Sequence, residues 1–130
     1  MDTVNLNLLL SYLNNKLPNV YEVGERGAIA IAFILVHSEK LEHIEYYLSQ
    51  MLELCKQGLY DWKLYAMMFD KACFLKKIPQ KFGTQYILKS KEIMQLYEME
   101  DLSIVNFNRI KIGLNPIKKD QIFQQINIKK

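Results

Sequence analysis

The sequence predicts a mainly α-helical (α+β) protein, a compact bundle of about five or six helices with one short β-hairpin. Apolar residues recur three or four positions apart along most of the chain, which is the spacing of a buried helix face. Residues 82–97 do not follow that spacing. They form two short apolar runs separated by Lys89-Ser90-Lys91, which is the pattern of two strands joined by a turn. Half of the 130 residues are hydrophobic, which suffices for one core, so we expect residues 1–130 to form a single globular domain.

Three helices are predicted in the first half of the chain. Residues 4–17 carry leucines at helical spacing and precede Pro18, which stops a helix. Residues 24–27 open an apolar run, 28–36, which is assigned to a buried helix rather than a strand because of its length and its alanines. Residues 39–57 place apolar residues on one face and charged residues on the other, as a surface helix does.

The second half is predicted to hold the central helix and the hairpin. Asp61 can cap a helix over residues 62–77, which is apolar nearly all round and is therefore expected to be central. Two short strands, 82–88 and 93–97, are predicted to follow, with a helix over residues 91–98 as the open alternative.

Two more helices are predicted at the C-terminal end. Asp101 can cap the first of them, which carries Arg109 on its buried face, and Gly113 suits the position just after it. Asn115-Pro116 is the expected cap and first position of the last helix, which would carry Ile117, Ile122 and Ile126.

The charge pattern and the length of the apolar stretches limit the possible partners. The net charge is +3, and the densest basic stretches, Lys76-Lys77 and Lys118-Lys119, hold two lysines each. Nucleic-acid proteins usually concentrate positive charge on one face. The stretch Leu8-Leu9-Leu10 is too short for a secretory signal or for a membrane span, which takes about 20 apolar residues. We therefore expect a cytoplasmic protein with no nucleic-acid partner and no membrane partner.

Cys55 and Cys73 are predicted to be reduced core residues. Both fall at apolar helical positions, and they lack the Cys-x-x-Cys spacing of a zinc or redox site. No metal site is predicted, and the sequence does not indicate a cofactor.

Polar residues at apolar positions mark the candidate site. Asp70 and Lys71 lie in the predicted central helix among apolar helical neighbours. Segment 79–85, Pro-Gln-Lys-Phe-Gly-Thr-Gln, follows that helix, and Asn106 and Arg109 come later in the chain. Burying such groups costs several kcal/mol unless the fold or a ligand satisfies them, so we expect them to serve a site or a buried network.

The order and spacing of these motifs resemble a bacterial family of unknown function, numbered six-six-two-four in its series. The resemblance covers nearly the whole chain and is carried by Val23-Gly24-Glu25, Val36-His37, Asp70-Lys71, segment 79–85, Glu100-Asp101, Val105-Asn106, Arg109, and Gly113-Leu114 with Pro116. Its most specific motif is Gln-x-aromatic-Gly-Thr-Gln. The chain departs from the family pattern at Lys71 and Asn108, where arginine is usual, at Phe82, where tyrosine is usual, and at Val36, where glutamine is usual.

The resemblance implies a small, cytoplasmic bacterial domain with no established activity. It also selects the candidate site residues. The positions that match the polar signature of the family are His37, Asp70, Gln80, Gly83, Thr84, Gln85, Asp101, Asn106 and Arg109.

One hypothesis is a pocket that binds a small anionic ligand and performs acid–base chemistry on it. His37 is the candidate general acid or base, since imidazole titrates closer to neutrality than other side chains. Asp70 is the second candidate catalytic residue, which would orient His37 or hold a cation in place. Arg109, together with Lys71, would bind a carboxylate or phosphate. The remaining candidate ligand-binding residues are Gln80, Gly83, Thr84, Gln85, Asp101 and Asn106.

The alternative hypothesis is a non-catalytic protein-interaction module, of an immunity, regulatory or defence-associated kind. Asp70 paired with Arg109 would then be the centre of a buried polar network that docks the hairpin on the helices. A protein partner would bind through exposed tyrosines, for which the candidates are Tyr46, Tyr47, Tyr60 and Tyr97.

Overall fold

The structure is a computed structural model that describes residues 3–125. Its helices, in chain order, are α1 (Thr3–Leu13), α2 (Val20–Val36), α3 (Leu41–Lys56), α4 (Trp62–Lys76) and α5 (Leu102–Lys111). Its strands are β1 (Tyr86–Leu88), β2 (Ile93–Leu96) and β3 (Phe123–Gln125), and a 3-10 turn at Lys119–Gln121 precedes β3. The predicted mainly α-helical fold with a short β-hairpin is confirmed.

Helices α1 to α4 pack around the larger of two cores. Helix α4 contacts both α2 and α3, and α1 contacts α2. The largest fully buried apolar side chains of this core are Leu35, Ile44, Met51 and Met68. Tyr60, in the turn between α3 and α4, is also buried and donates its hydroxyl to the carbonyl of Ala28 at 2.8 Å. Between Thr3 and Gln125, no helix combines the length and the apolar content needed to cross a membrane.

A smaller core lies between α5 and the sheet. Its buried residues are Leu96, Val105 and Ile117. The three strands are antiparallel in the order β1-β2-β3. The first strand of the hairpin is shorter than predicted, because the backbone N–H groups of residues 81, 82 and 84 bind Asp70 instead of a neighbouring strand.

Helix α2 begins earlier than predicted, at Val20 rather than at residue 28. Asn19 caps it, since its Oδ1 accepts the N–H groups of Tyr21 at 2.9 Å and Glu22 at 3.1 Å. The Glu22 carboxylate accepts the Asn19 N–H in return, which completes a capping box. Gly24 then interrupts the helix with φ 79° and ψ 166°, a conformation that glycine adopts readily. The residues predicted to open this helix therefore form a kink within it.

The prediction of a last helix from Asn115-Pro116 is wrong for the residues that the structure describes. Asn106 of α5 binds both backbone groups of Ile117, accepting its N–H at 2.7 Å and donating to its carbonyl at 3.0 Å. These backbone groups are therefore not available for a helix. The chain continues through one 3-10 turn into β3, which pairs with β2. Ile126, assigned to the same helix, lies outside the described residues.

Both cysteines are buried free thiols, which agrees with their prediction as reduced core residues. Burial is the main reason why the pKa of Cys55 is raised from 9.0 to about 12, and the nearby carboxylate of Asp61 adds to the effect.

The stability of the protein should fall in alkaline solution because of Cys55. The unfolded thiol loses its proton near pH 9 while the folded thiol keeps it up to about pH 12, so the unfolded state binds fewer protons in this range. The free energy of unfolding should then decrease as pH rises, by at most about 1.4 kcal/mol per pH unit from this group. Urea unfolding of the parent and of Cys55→Ala between these pH values measures the effect. The variant should show a shallower decrease, and an unchanged slope would attribute the decrease to other groups.

Candidate functional site

Asp70 lies on α4, fully buried, facing the loop that connects α4 to β1. We call residues 80–85 the 80–85 loop. The Oδ1 atom of Asp70 accepts the backbone N–H groups of Lys81 at 2.9 Å and Phe82 at 3.1 Å. Its Oδ2 atom accepts the N–H of Thr84 at 3.0 Å and the Thr84 hydroxyl at 2.7 Å. A carboxylate has about four acceptor positions, so this loop alone satisfies Asp70.

The environment of Asp70 acts on its pKa in two opposing directions. Burial raises the pKa and is the larger influence, while the hydrogen bonds from the Thr84 hydroxyl and from the three backbone N–H groups lower it. The net direction is upward from the ordinary value of 3.8. The carboxyl group is thus held by the loop at a cost in desolvation, which the four donors partly offset.

Gln80 closes the base of the loop with its side chain. Its Nε2 donates to the carbonyls of Gln85 at 3.0 Å and Tyr97 at 2.8 Å, and its Oε1 accepts the N–H of Gln85 at 2.9 Å. Gln80 is fully buried, so these bonds satisfy an amide that would otherwise be costly to bury. The side chain of Gln85 in turn donates to the carbonyl of Met67 at 3.3 Å, which attaches the end of the loop to α4.

Arg109 of α5 binds the opposite side of the 80–85 loop. Its Nη1 donates to the carbonyls of Phe82 at 2.8 Å and Gly83 at 3.4 Å, and its Nε donates to the carbonyl of Asn115 at 2.6 Å. Asp70 therefore accepts hydrogen bonds from the N–H groups of the loop, and Arg109 donates hydrogen bonds to its carbonyls. Burial lowers the pKa of Arg109, and the charge of Asp70 partly opposes that shift. Asp70 and Arg109 both bind this loop, but the predicted pairing of the two is wrong, since no ion pair links them in the described chain.

Two asparagines of α5 complete the arrangement. Asn106 holds Ile117 by two backbone hydrogen bonds, and Asn108 donates from Nδ2 to the carbonyl of Lys81 at 3.0 Å. Asn108 was missed as a site residue; its position next to Arg109 on the same helix is the signal that could have found it. We call the group formed by Asp70, Gln80, Thr84, Gln85, Asn106, Asn108 and Arg109 the loop network.

Gly83 sits at the centre of the loop network and is buried, with a φ of +67°. A Cβ atom here would lie 3.3 Å from Cγ1 of Val105 and closer still to Cδ1 of Ile117. Glycine is needed at this position both for its backbone conformation and for the close approach of α5 and Ile117.

Three of the predicted site residues lie outside the loop network. His37 is an exposed residue that ends α2, and its Nδ1 lies 2.6 Å from the carbonyl of Phe33. Lys71 pairs with Glu39 at 3.6 Å. Asp101 is exposed at the start of α5 and makes no side-chain hydrogen bond to the helix. In the described part of the chain, no hydrogen bond joins the predicted catalytic residues His37 and Asp70.

Within residues 3–125, no group of three or more His, Cys, Asp and Glu side chains is arranged as metal ligands would be. The loop network holds a positive and a negative group, but its hydrogen bonds are made to the protein itself.

No protein family, curated protein or solved structure matches this chain. Its class is therefore defined by the fold and the loop network alone, as an α+β protein in which a buried aspartate and a half-buried arginine bind the backbone of one loop. The family resemblance drawn from the sequence motifs stays a prediction.

Replacing Arg109 by alanine should lower the free energy of unfolding by about 2 to 3 kcal/mol, because charged hydrogen bonds to several carbonyls are lost together. Arg109→Lys should recover only part of the loss, since an ammonium lacks the planar donor arrangement. Urea unfolding measures both changes. Lys111→Ala changes an exposed residue two positions after Arg109 and is the control. Its free energy of unfolding should stay within about 0.5 kcal/mol of the parent. A similar small change at Arg109 would mean that its contacts contribute little to the fold.

Proposed function

We propose that this protein is a non-catalytic protein-interaction module whose loop network is structural. The observation that carries the proposal is that the 80–85 loop supplies four hydrogen-bond donors to the two carboxylate oxygens of Asp70 and so fills their acceptor positions. A general acid or base must come within hydrogen-bond reach of its substrate. Asp70 is fully buried and already bonded, so its surroundings favour a structural role over a catalytic one.

The loop network would serve function by fixing α5 relative to α4. Helix α5 turns Val105 into the smaller core and exposes Ile104, Phe107 and Ile110, whose exposed fractions are 44%, 64% and 61%. These three residues are three positions apart and share one face of the helix. Contiguous exposed apolar residues on one face are typical of interaction surfaces. We call them the α5 face and propose it as the surface that binds a protein partner.

The tyrosines expected at such a surface are placed differently. Tyr47 and Tyr60 are buried, at 3% and 5% exposure, so the prediction that they are exposed anchors is wrong. Tyr46 is 49% exposed, but its hydroxyl is already donated to the carbonyl of Asn15. Tyr97 is half-buried and donates to the carbonyl of Ile78. The α5 face is therefore the better candidate.

A photo-crosslinking experiment in the native cells tests the proposal. A benzophenone amino acid in place of Phe107 should give a discrete protein adduct, identified by mass spectrometry. The same group in place of Glu53, on the exposed face of α3, is the matched control and should not give that adduct. Adding Ile104→Ser and Ile110→Ser to the Phe107 probe should abolish the adduct without changing the melting temperature by more than a few degrees. No adduct, or the same adduct from Glu53, would contradict the proposal.

A further inference from the structure

A pocket of about 350 Å³ lies between the start of α4, the 80–85 loop and the end of α5. Its lining residues are Trp62, Phe82, Asn108, Lys111 and Ile112. Ligand pockets begin at roughly 300 Å³, so this one has room for a compact small molecule. Neither of the predicted catalytic residues lines it, and the pocket is distinct from the interior of the loop network.

Two of the lining residues are aromatic rings held by their surroundings. The ring of Phe82 stands edge to face against Phe69, with centroids 5.8 Å apart and an interplanar angle of 87°. Along the same face of α4, the ring centroid of Phe69 lies 5.9 Å from that of Tyr65, and the centroid of Tyr65 lies 5.6 Å from that of Trp62. The loop network bonds both the N–H and the carbonyl of Phe82. Rings that are already fixed lose little freedom when a planar ligand stacks on them.

The charged groups at this pocket are positive. The charged lining residue is Lys111, whose Nζ lies 5.2 Å from the Phe107 ring centroid. Lys81 is not a lining residue, but its carbonyl binds Asn108 and its Nζ lies 5.5 Å from the centroid of Phe69. Neither lysine forms an ion pair with a carboxylate in the described residues. None of the five lining residues is acidic. The pocket is therefore complementary to an anion.

Asn108 adds a fixed polar group. One hydrogen of its Nδ2 is donated to the carbonyl of Lys81 at 3.0 Å, which anchors the amide. Its Oδ1 accepts no hydrogen bond from another described residue. An anchored amide of this kind offers a ligand one acceptor and one remaining donor hydrogen.

We propose that this pocket binds a small planar anion, an aromatic ring that carries a carboxylate or a phosphate group. The ring stacks on Trp62 and Phe82, the negative group contacts Lys111, and Asn108 bonds a polar atom of the ligand. This inference goes beyond the interaction module, because it concerns a small-molecule pocket beside the α5 face and does not require a partner on that face.

Trp62 is the only tryptophan of the chain, so its fluorescence reports directly on this pocket. The parent protein is titrated with benzoate, benzamide and benzylammonium, which share a ring and differ in charge. A second arm compares adenosine monophosphate with adenosine. Benzoate, adenosine monophosphate or both should give a saturable change, while the uncharged compounds should bind at least about fivefold more weakly.

Two variants and one control connect binding to the named residues. Lys111→Gln should weaken binding of the anion about fivefold and leave its uncharged analogue unaffected. Phe82→Leu should weaken both about fivefold, because a stacking wall is lost. Lys119→Gln, an exposed lysine outside the lining, should bind as the parent does.

The titrations also identify the source of the anion. Saturation by adenosine monophosphate alone supports a nucleotide phosphate, and saturation by benzoate alone supports an aromatic carboxylate. Equal binding of the anions and of their uncharged analogues, benzamide and adenosine, would overturn the proposal. The absence of a saturable change with every compound would overturn it too. Unchanged anion binding in Lys111→Gln, which is a surface change that should not affect folding, would overturn it as well.

Discussion

Asp70→Asn should lower the free energy of unfolding by about 3 to 5 kcal/mol, the largest loss expected from any single polar change in this protein. The amide that replaces the carboxylate has one acceptor oxygen and one donor group. At either oxygen position its NH2 would face at least one backbone N–H of the 80–85 loop, so bonds are lost and donors oppose each other in a fully buried position. Buried donors without acceptors carry their full desolvation cost.

Equilibrium urea unfolding of the parent and the variant measures this loss. Asp101→Asn is the matched control, since Asp101 is exposed and makes no capping hydrogen bond, and it should differ from the parent by less than about 0.5 kcal/mol. Thr84→Val, which removes only the hydroxyl donor to Asp70, should fall between the two. If Asp70→Asn behaved like Asp101→Asn, the loop network would not be the structural element described above.

Gly83→Ala should cost about 2 to 5 kcal/mol, from two sources that can be separated. A left-handed backbone conformation costs an alanine roughly 1 to 2 kcal/mol. The added methyl group also enters the space of Ile117 and approaches Val105 to 3.3 Å, and such overpacking typically costs about 1 to 3 kcal/mol more.

Gly58→Ala separates the two sources, because Gly58 has a similar φ of +72° but no atom within 4 Å of the added Cβ. It should show only the backbone cost. Ile117→Val removes the Cδ1 atom that the new methyl group would meet, so Gly83→Ala should cost less in that background than in the parent. Equal losses at Gly58 and Gly83, with no rescue by Ile117→Val, would contradict the close packing of the loop.

The sequence allowed the helices and the hairpin to be predicted, since their apolar spacing is a local property. It also placed Asp70, Gln80, Thr84 and Arg109 among the candidate site residues, and the structure joins them around one loop. Their bonding partners could not be predicted in the same way. Most are backbone N–H and carbonyl groups, which every residue carries, so residue identities do not mark them.

The failures have a similar physical origin. Ile117 is assigned to a helix by its local pattern, but its backbone groups bind Asn106, which lies on the preceding helix. His37 was selected for its chemistry, yet its nearest bonding partner is the carbonyl of Phe33, four residues earlier on the same helix. Tyr60 was expected outside, whereas its hydroxyl has a buried acceptor on α2. Each outcome depends on tertiary neighbours that sequence spacing does not specify.

The position of the 80–85 loop between two separate cores has a consequence for how the molecule opens. The larger core and the smaller core share no buried residue, and the hydrogen bonds of Asp70 and Arg109 link them through the loop. Separation at this seam would also part the ring contacts of Phe69 with Phe82 and of Phe74 with Tyr97, yet it would leave both cores buried, so its free energy should depend less on urea than global unfolding does. Amide hydrogen exchange at Lys81, Phe82 and Thr84 would then proceed through a small opening as well as through global unfolding. We therefore expect the seam to open at a lower free energy than either core.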